Sequence, residues 1–295
     1  MTTNETPKTQ FKKFLEFLKN LFFAAIAALI LKTFIIETSR VPTPSMEKTI
    51  MVGDFLFVNK FLYGSSSPRS IPFTNIALPY FQLPAIREPE KGDIVVFEFP
   101  GDKDELKPVN IDNYVKRLIG EPGDTIVIKE KVVFINGKEA DIPVHIQYLN
   151  SNAMPATVTN PRIFPSGAQF NEDNYGPVVV PKKGEVIPLN KSNVEQWRTI
   201  IDREYDRRVV TIEGDQILID KKPVTSYTIT KDYYFMMGDN RDNSLDSRFW
   251  GFVARDKVVG QAFFIYWSWN PAIPFSDFFE LLGSVKLNRL AKLVH

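Results

Sequence analysis

Residues 114–137, YVKRLIGEPGDTIVIKEKVVFING, decide the fold. Read as a strand, the first six residues place Lys116 on the side of Tyr114 and Leu118, while Arg117 points with Val115 and Ile119. Two further β-like runs follow, 125–128 and 132–135, the second closed by the turn signal Asn136-Gly137. Upstream, 93–99 (DIVVFEF) reads the same way, and together these runs predict an antiparallel sheet. A second group, 209–212, 216–219, 227–229 and 233–236, repeats the rhythm. FINGKEA is echoed by LIDKKPV, too faintly to count as a repeat.

Between the two groups, residues 140–208 turn polar and rich in Pro and Asn. One helix is expected there, with Ser192 and Glu195 as its capping box and Val194, Trp197, Ile201 and Tyr205 as its apolar stripe. This segment reads as a small inserted α+β subdomain. Residues 41–60, VPTPSMEKTIMVGDFLFVNK, read as a loop and then a strand, and 64–89 as a long surface loop. The aromatic run at 263–269, FFIYWSW, fits a core strand or a patch at a membrane interface.

Outward to the N-terminus, residues 21–31 (LFFAAIAALIL) form an unbroken apolar run flanked by Lys19 and Lys32. Extended to 20–36 it reaches roughly 25 Å, with lysines at both ends able to snorkel to headgroups. KTFIIETSR follows without the small-residue spacing of a cleavage site, which predicts an uncleaved anchor. The chain then divides into an N-terminal segment 1–19, an anchor 20–36, a first core part 37–139, the insert 140–208 and a second core part 209–295. Lysines lie on both sides of the anchor, so the positive-inside bias toward a cytoplasmic N-terminus is weak.

Composition narrows the chemistry. In 295 residues, 36 Lys+Arg against 35 Asp+Glu leave a formal charge of +1, which supplies no field for gripping nucleic acid. Cysteine is absent and the two histidines are His145 and His295. Thiol nucleophiles, Cys/His zinc sites and iron–sulfur clusters are therefore excluded, and no metal or other cofactor is expected. His295 is the last residue and His145 sits in apolar IPVHIQYL, read as packed, so a serine nucleophile here needs a base other than imidazole. A lysine serves once desolvation brings its pKa from about 10.4 toward 7–8. Lys116 on an apolar strand face fits that need; an edge lysine that blocks aggregation is the plainer reading. Ser45, approached stiffly through Pro42-Thr43-Pro44, stands just beyond the anchor, and position alone separates it from other serines. The densest polar cluster is 238–248, GDNRDNSLDSR. As a calcium loop it fails, because a start at Asp239 puts Arg241 at the third ligand position and a start at Asp242 puts Ser247 where glycine is required. A self-bonded turn remains.

Ser45-Met46, Gly53-Asp54-Phe55, Lys116-Arg117 with Pro122-Gly123-Asp124, and GDNRDNSLDSR closely resemble, in the same order, the motif boxes of bacterial type I signal peptidases. The match covers about 33–138 and 231–262. The resemblance implies a mainly β, signal-peptidase-like antiparallel core behind a transmembrane helix, and a membrane-anchored serine endopeptidase. It also implies Ser45 as nucleophile and Lys116 as general base, with Ser244 orienting the lysine amine. Asp246–Arg248 and Asp239–Arg117 would be supporting ion pairs. Thr43 would donate its hydroxyl to the oxyanion, with Pro44 standing where the family usually has glycine. Val41, Pro42, Tyr114 and Val115 would line shallow pockets for small residues at −3 and −1 of the substrate. Implied partners are preprotein signal peptides and membrane lipid, with export machinery left open; the implied place is the bacterial plasma membrane, single-pass, N-terminus cytoplasmic and catalytic domain on the outer side. Two other readings stand beside this one: a non-catalytic anchored scaffold, and a soluble Ser/Lys self-cleaving repressor, which the apolar N-terminus opposes.

Overall fold

Pro7 opens a helix, α1 (Pro7–Phe34), whose remaining residues include neither Pro nor Gly and are mostly strong helix formers. The computed structural model describes residues 7–65, 81, 83–110, 112–141 and 143–294. Within α1, Phe11–Phe34 is long and apolar enough to cross a membrane, and none of that stretch is buried by the protein. At 1.5 Å per residue its 24 residues span about 36 Å. The helix starts earlier than the apolar run alone suggested, since helical pitch tolerates Lys12, Lys13, Glu16 and Lys19. It also stops short of the expected boundary at 36, because Ile36 pairs with Asn59 in the first strand.

The main sheet has eight strands. In order across it lie β1 (Ile36–Arg40), β2 (Asp54–Asn59), β16 (Val258–Ser268), β3 (Ile94–Glu98), β4 (Asn113–Gly120), β14 (Tyr233–Met237) and β15 (Val253–Ala254), with β17 (Lys292–Leu293) beside β16. Every pairing is antiparallel. β16 carries register shifts against both neighbours, and such bulges increase twist. The sheet curls: Asn113 on β4 donates 3.1 Å to Glu37 on β1, although β2, β16 and β3 separate them. β4 is buried on both faces from Lys116 onward because hydrophobic clusters lie on either side, Leu118 packing with Val95, Phe97, Met236 and Trp250, and Val115 against Val41, Met46 and Leu56.

The second sheet joins β7 (Lys138–Glu139), β6 (Val132–Ile135), β5 (Thr125–Lys129) and β8 (Tyr175–Val179). Asn136 and Gly137 take φ of 52° and 78°, as a tight β6–β7 turn requires. β9 (Val186–Pro188) pairs β13 (Ser226–Thr228), and β10 (Val210–Glu213), β11 (Gln216–Ile219) and β12 (Lys222–Val224) form a meander. The β11–β12 turn, Asp220-Lys221, has the same left-handed pair of φ values, so the echo between FINGKEA and LIDKKPV reflects one hairpin geometry. Helices α2 (Val194–Glu204), α3 (Ser247–Trp250) and α4 (Phe278–Gly283) complete the elements. The largest hydrophobic cluster mixes Ile163, Phe164, Trp197 and Ile201 with Ile119, Ile126, Tyr227, Phe235 and Phe252, so the 140–208 segment shares its core with strands on both sides of it in sequence.

Three local expectations change. The α2 capping box does not form: Asn193 occupies the N-cap, Ser192 donates to Asn190, and Glu195 pairs with Arg198. Val194, Trp197 and Ile201 are buried, but Tyr205 is exposed at the helix end. His145 is half-buried, not packed away, and the loop expected at 64–89 lies mostly outside the described residues. Residues 263–268 do form a strand, yet only Ile265 and Ser268 are buried there; Phe57 stacks on Tyr266 at 4.3 Å between centroids, and Phe55 meets Trp269 edge-on at 5.5 Å.

Candidate active site

The Ser45 loop leaves β1 and makes one short 3-10 turn, Pro44–Met46. Thr43 is its extended N-cap, and Pro44 takes the first helical position, where its fixed φ and missing N–H cost nothing. Proline here is compatible with the turn. Ser45 and Lys116 are 8% and 4% exposed. Across 71 residues of sequence, Lys116 Nζ stands 2.7 Å from Ser45 Oγ; it also donates 3.2 Å to the Val115 carbonyl and lies 5.5 Å from the Tyr114 ring centre. Burial pulls the amine from 10.5 down to about 8, against the opposing pull of Asp246 and Asp239.

The 238–248 turn packs behind this pair. Arg117 grips Asp239 through two bonds, Nε to Oδ1 at 2.8 Å and Nη2 to Oδ2 at 2.7 Å, and Thr49 donates to the same carboxylate. Arg248 holds Asp246 through Nε and Nη2, each at 2.9 Å. Burial would raise the Asp246 carboxyl, but the charge and hydrogen bonds of Arg248 and the Gly238 N–H keep it below the ordinary carboxylate range. Asp246 also caps α3 by accepting from Arg248 N. Asn240 N donates 3.0 Å to the Ser45 carbonyl, tying the turn to the loop.

The family model for signal peptidase, peptidase S26, matches residues 14–267. The chain belongs to that family. It is 34% identical over 278 residues to the signal peptidase I of Buchnera aphidicola subsp. Schizaphis graminum, covering 88% of this chain and 77% of that one. Against the signal peptidase I of Pseudomonas aeruginosa the identity is 31%, covering 86% and 72%, and against that of Aquifex aeolicus 30%, covering 84% and 82%. A crystal structure of a signal peptidase I from Enterococcus faecalis is 24% identical and covers 60% of this chain and 98% of its own, with a TM-score of 0.27. Membership in the peptidase S26 family makes the chain a hydrolase, a serine endopeptidase.

In this signal peptidase family member a cavity of about 850 Å³ opens over the Ser45–Lys116 pair. Val41, Pro42, Thr43, Tyr114 and Val115 line it, as do Ser244 and Leu245 from the turn. Ser244 makes no hydrogen bond to Lys116: its hydroxyl faces the Asp246 carboxylate, while the amine is directed at Ser45 and Val115. Thr43 is exposed on the wall, its hydroxyl free of any capping bond. Sequence reasoning missed Thr49, Asn240 and Gln147, which hold the turn and loop together; Asn240 at least stood inside the polar motif, whereas nothing marked Gln147. Among the described residues no group of three or more His, Asp or Glu could hold a metal.

Proposed function

We propose that the chain is a membrane-anchored endopeptidase that cleaves signal peptides from exported preproteins after small residues at −3 and −1, using Ser45 and Lys116. The observation that carries this reading is the 2.7 Å approach of a buried lysine amine, drawn toward neutral pH by desolvation, to a serine hydroxyl at the floor of a cavity. The uncharged amine takes the Ser45 proton as Oγ attacks the scissile carbonyl, and the resulting ammonium gives that proton to the leaving amine. The acyl-enzyme is then hydrolysed by a water that the freed amine deprotonates. Oxyanion charge falls to the Ser45 N–H and the Thr43 hydroxyl, and losing one such donor typically costs about 3 kcal/mol. Asp239–Arg117 and Asp246–Arg248 hold the turn that backs the pair.

A substrate strand lies extended between β1 and β4, its small side chains entering the walls of Val41, Pro42, Tyr114 and Val115. α1 supplies the anchor, with the N-terminus cytoplasmic and the catalytic domain on the outer side of a bacterial plasma membrane. The five-part division of the chain, with 140–208 as an insert, belongs to this reading, as does contact with export machinery. Lipid is the second partner: Phe61, Phe275 and Phe279 are exposed, the last at 88%, and Phe55 and Phe57 lie on the strand paired with the one that leaves the anchor. The test is cleavage of a preprotein by detergent-solubilised enzyme. Ser45→Ala and Lys116→Ala should each lose cleavage by at least a thousandfold while keeping the wild-type circular dichroism spectrum, and retained activity in either would refute the assignment.

A further inference from the structure

Residues 143–146 form a turn, Ile146 N donating 3.1 Å to the Pro143 carbonyl, and the chain then runs from Ile146 to Asn150 over the back of the 238–248 turn. Gln147 N donates 2.9 Å to the Asp239 carbonyl, and Arg241 N donates 3.0 Å to the Gln147 carbonyl, a parallel bridge one residue long. The other side of the same turn holds the Ser45 loop: Asn240 N reaches the Ser45 carbonyl at 3.0 Å and Asn240 Nδ2 the Pro44 carbonyl at 3.2 Å. Side chains close the third side, since Gln147 Nε2 and Asn240 Nδ2 both donate to Glu47 Oε2, each at 3.3 Å. Further along, Asn150 N caps Asp242 at 2.8 Å, and Tyr148 donates 2.7 Å to the carbonyl of Lys131, whose amine binds Asp242 in turn.

Packing does not explain why the segment lies there. Val144 and Leu149 are 94% and 67% exposed, and a cavity of about 270 Å³, lined by Val133, Ile146, Tyr148 and Arg241, lies between the segment and the β5–β6 hairpin, which the segment meets through Tyr148 on Lys131. Its backbone and amide bonds go to the turn and to the Ser45 loop. Asp239 sits between the two halves of the site, its carbonyl on Gln147 and its carboxylate on Arg117, the neighbour of Lys116 on β4.

We infer that residues 143–150 are a positioning strap, in which Gln147 clamps the Asp239–Arg241 turn against Glu47 and so sets the separation of Ser45 and Lys116; the inference rests on the Ser45/Lys116 reading above. Gln147 touches no reacting atom, so its effect falls on kcat.

The full chain in detergent tests this with a preprotein substrate. Gln147→Glu sets a second carboxylate against Glu47 and should lower kcat roughly tenfold, with KM within about twofold and the midpoint of the pH–rate curve unchanged; Glu47→Gln added to it restores an amide–carboxylate pair and should recover most of the loss. Gln147→Pro, which deletes the N–H given to Asp239, should cost more, toward a hundredfold in kcat. Wild-type kcat in both single variants, a loss that Glu47→Gln does not relieve, or a loss carried by KM would overturn the strap. Ser45→Ala run alongside separates the two ideas: if it still cleaves, the Ser45/Lys116 reading falls, whereas an inactive Ser45→Ala beside normal Gln147→Glu and Gln147→Pro removes the strap alone.

Discussion

Lys116 is kept dry at a cost. Its amine has an ordinary value of 10.5 in the open chain and about 8 in the fold, because burial disfavours the ammonium more than Asp246 and Asp239 favour it. Two outcomes follow at this one side chain. The rate of cleavage should rise with pH through about 8 as the amine loses its proton, a limb that pH-dependent kcat/KM measurements would show and that a flat profile from pH 6 to 9 would contradict. Stability moves the same way: between about 8 and 10.5 the unfolded chain binds a proton that the folded chain does not, so stability climbs with pH across that window and the penalty is full below it. The gap corresponds to about 3 kcal/mol. Lys116→Met, similar in length and without charge, should therefore be inactive yet more stable at pH 7 by up to that amount. Urea titrations should show the gain vanishing near pH 10.5.

Among the elements, the 238–248 turn matters most, because it is built from close approach. A Cβ on Gly238 would stand 2.2 Å from Ser244 Oγ and 2.5 Å from the Ser45 carbonyl oxygen, and the second of these is backbone that cannot swing away. Gly238 φ is not left-handed, so space and not torsion demands glycine. Gly238→Ala should push the Ser45 loop off the turn, costing roughly 1–3 kcal/mol and lowering kcat well beyond the loss of folded protein. Thermal melts paired with single-turnover kinetics would check it, and an unchanged kcat would show that the loop relaxes freely. The same contact explains why Ser244 misses the lysine: it fills the space above Gly238.

Over the whole molecule, α1 stands apart from the catalytic body. None of its membrane-length stretch is buried, and Ser65 donating to the Phe34 carbonyl is one of the few bonds that tie its end down. Removing residues 1–34 should leave the melting temperature of the remainder within a few degrees. The truncated protein should still float with phospholipid vesicles through Phe275, Phe279 and the β2–β16 aromatics; recovery wholly in the aqueous fraction would restrict lipid contact to the helix.

What the sequence determined by itself is local. Strands at 132–135 and 216–219 were legible to the residue, and those read at 93–99, 114–119, 125–128, 209–212, 227–229 and 233–236 to within one, since alternation and left-handed turns such as Asn136-Gly137 are properties of short windows; the strand holding 263–269 begins earlier, at Val258, and those at 36–40, 175–179 and 186–188 were not foreseen. The long apolar N-terminal helix and the face of Lys116 were legible for the same reason. Tertiary structure alone decided the rest. Bringing Ser45 within 2.7 Å of Lys116, keeping Ser244 off the lysine, leaving the aromatic rings of 263–269 half-buried, and laying Gln147 against Asp239 all depend on which surfaces the curled sheet presses together. Asn193 displaced Ser192 as helix cap because the Asn190 side chain had already engaged the serine. Desolvation of the amine likewise belongs to the packed core, for no run of neighbours along the chain can exclude water from a lysine that only distant strands enclose.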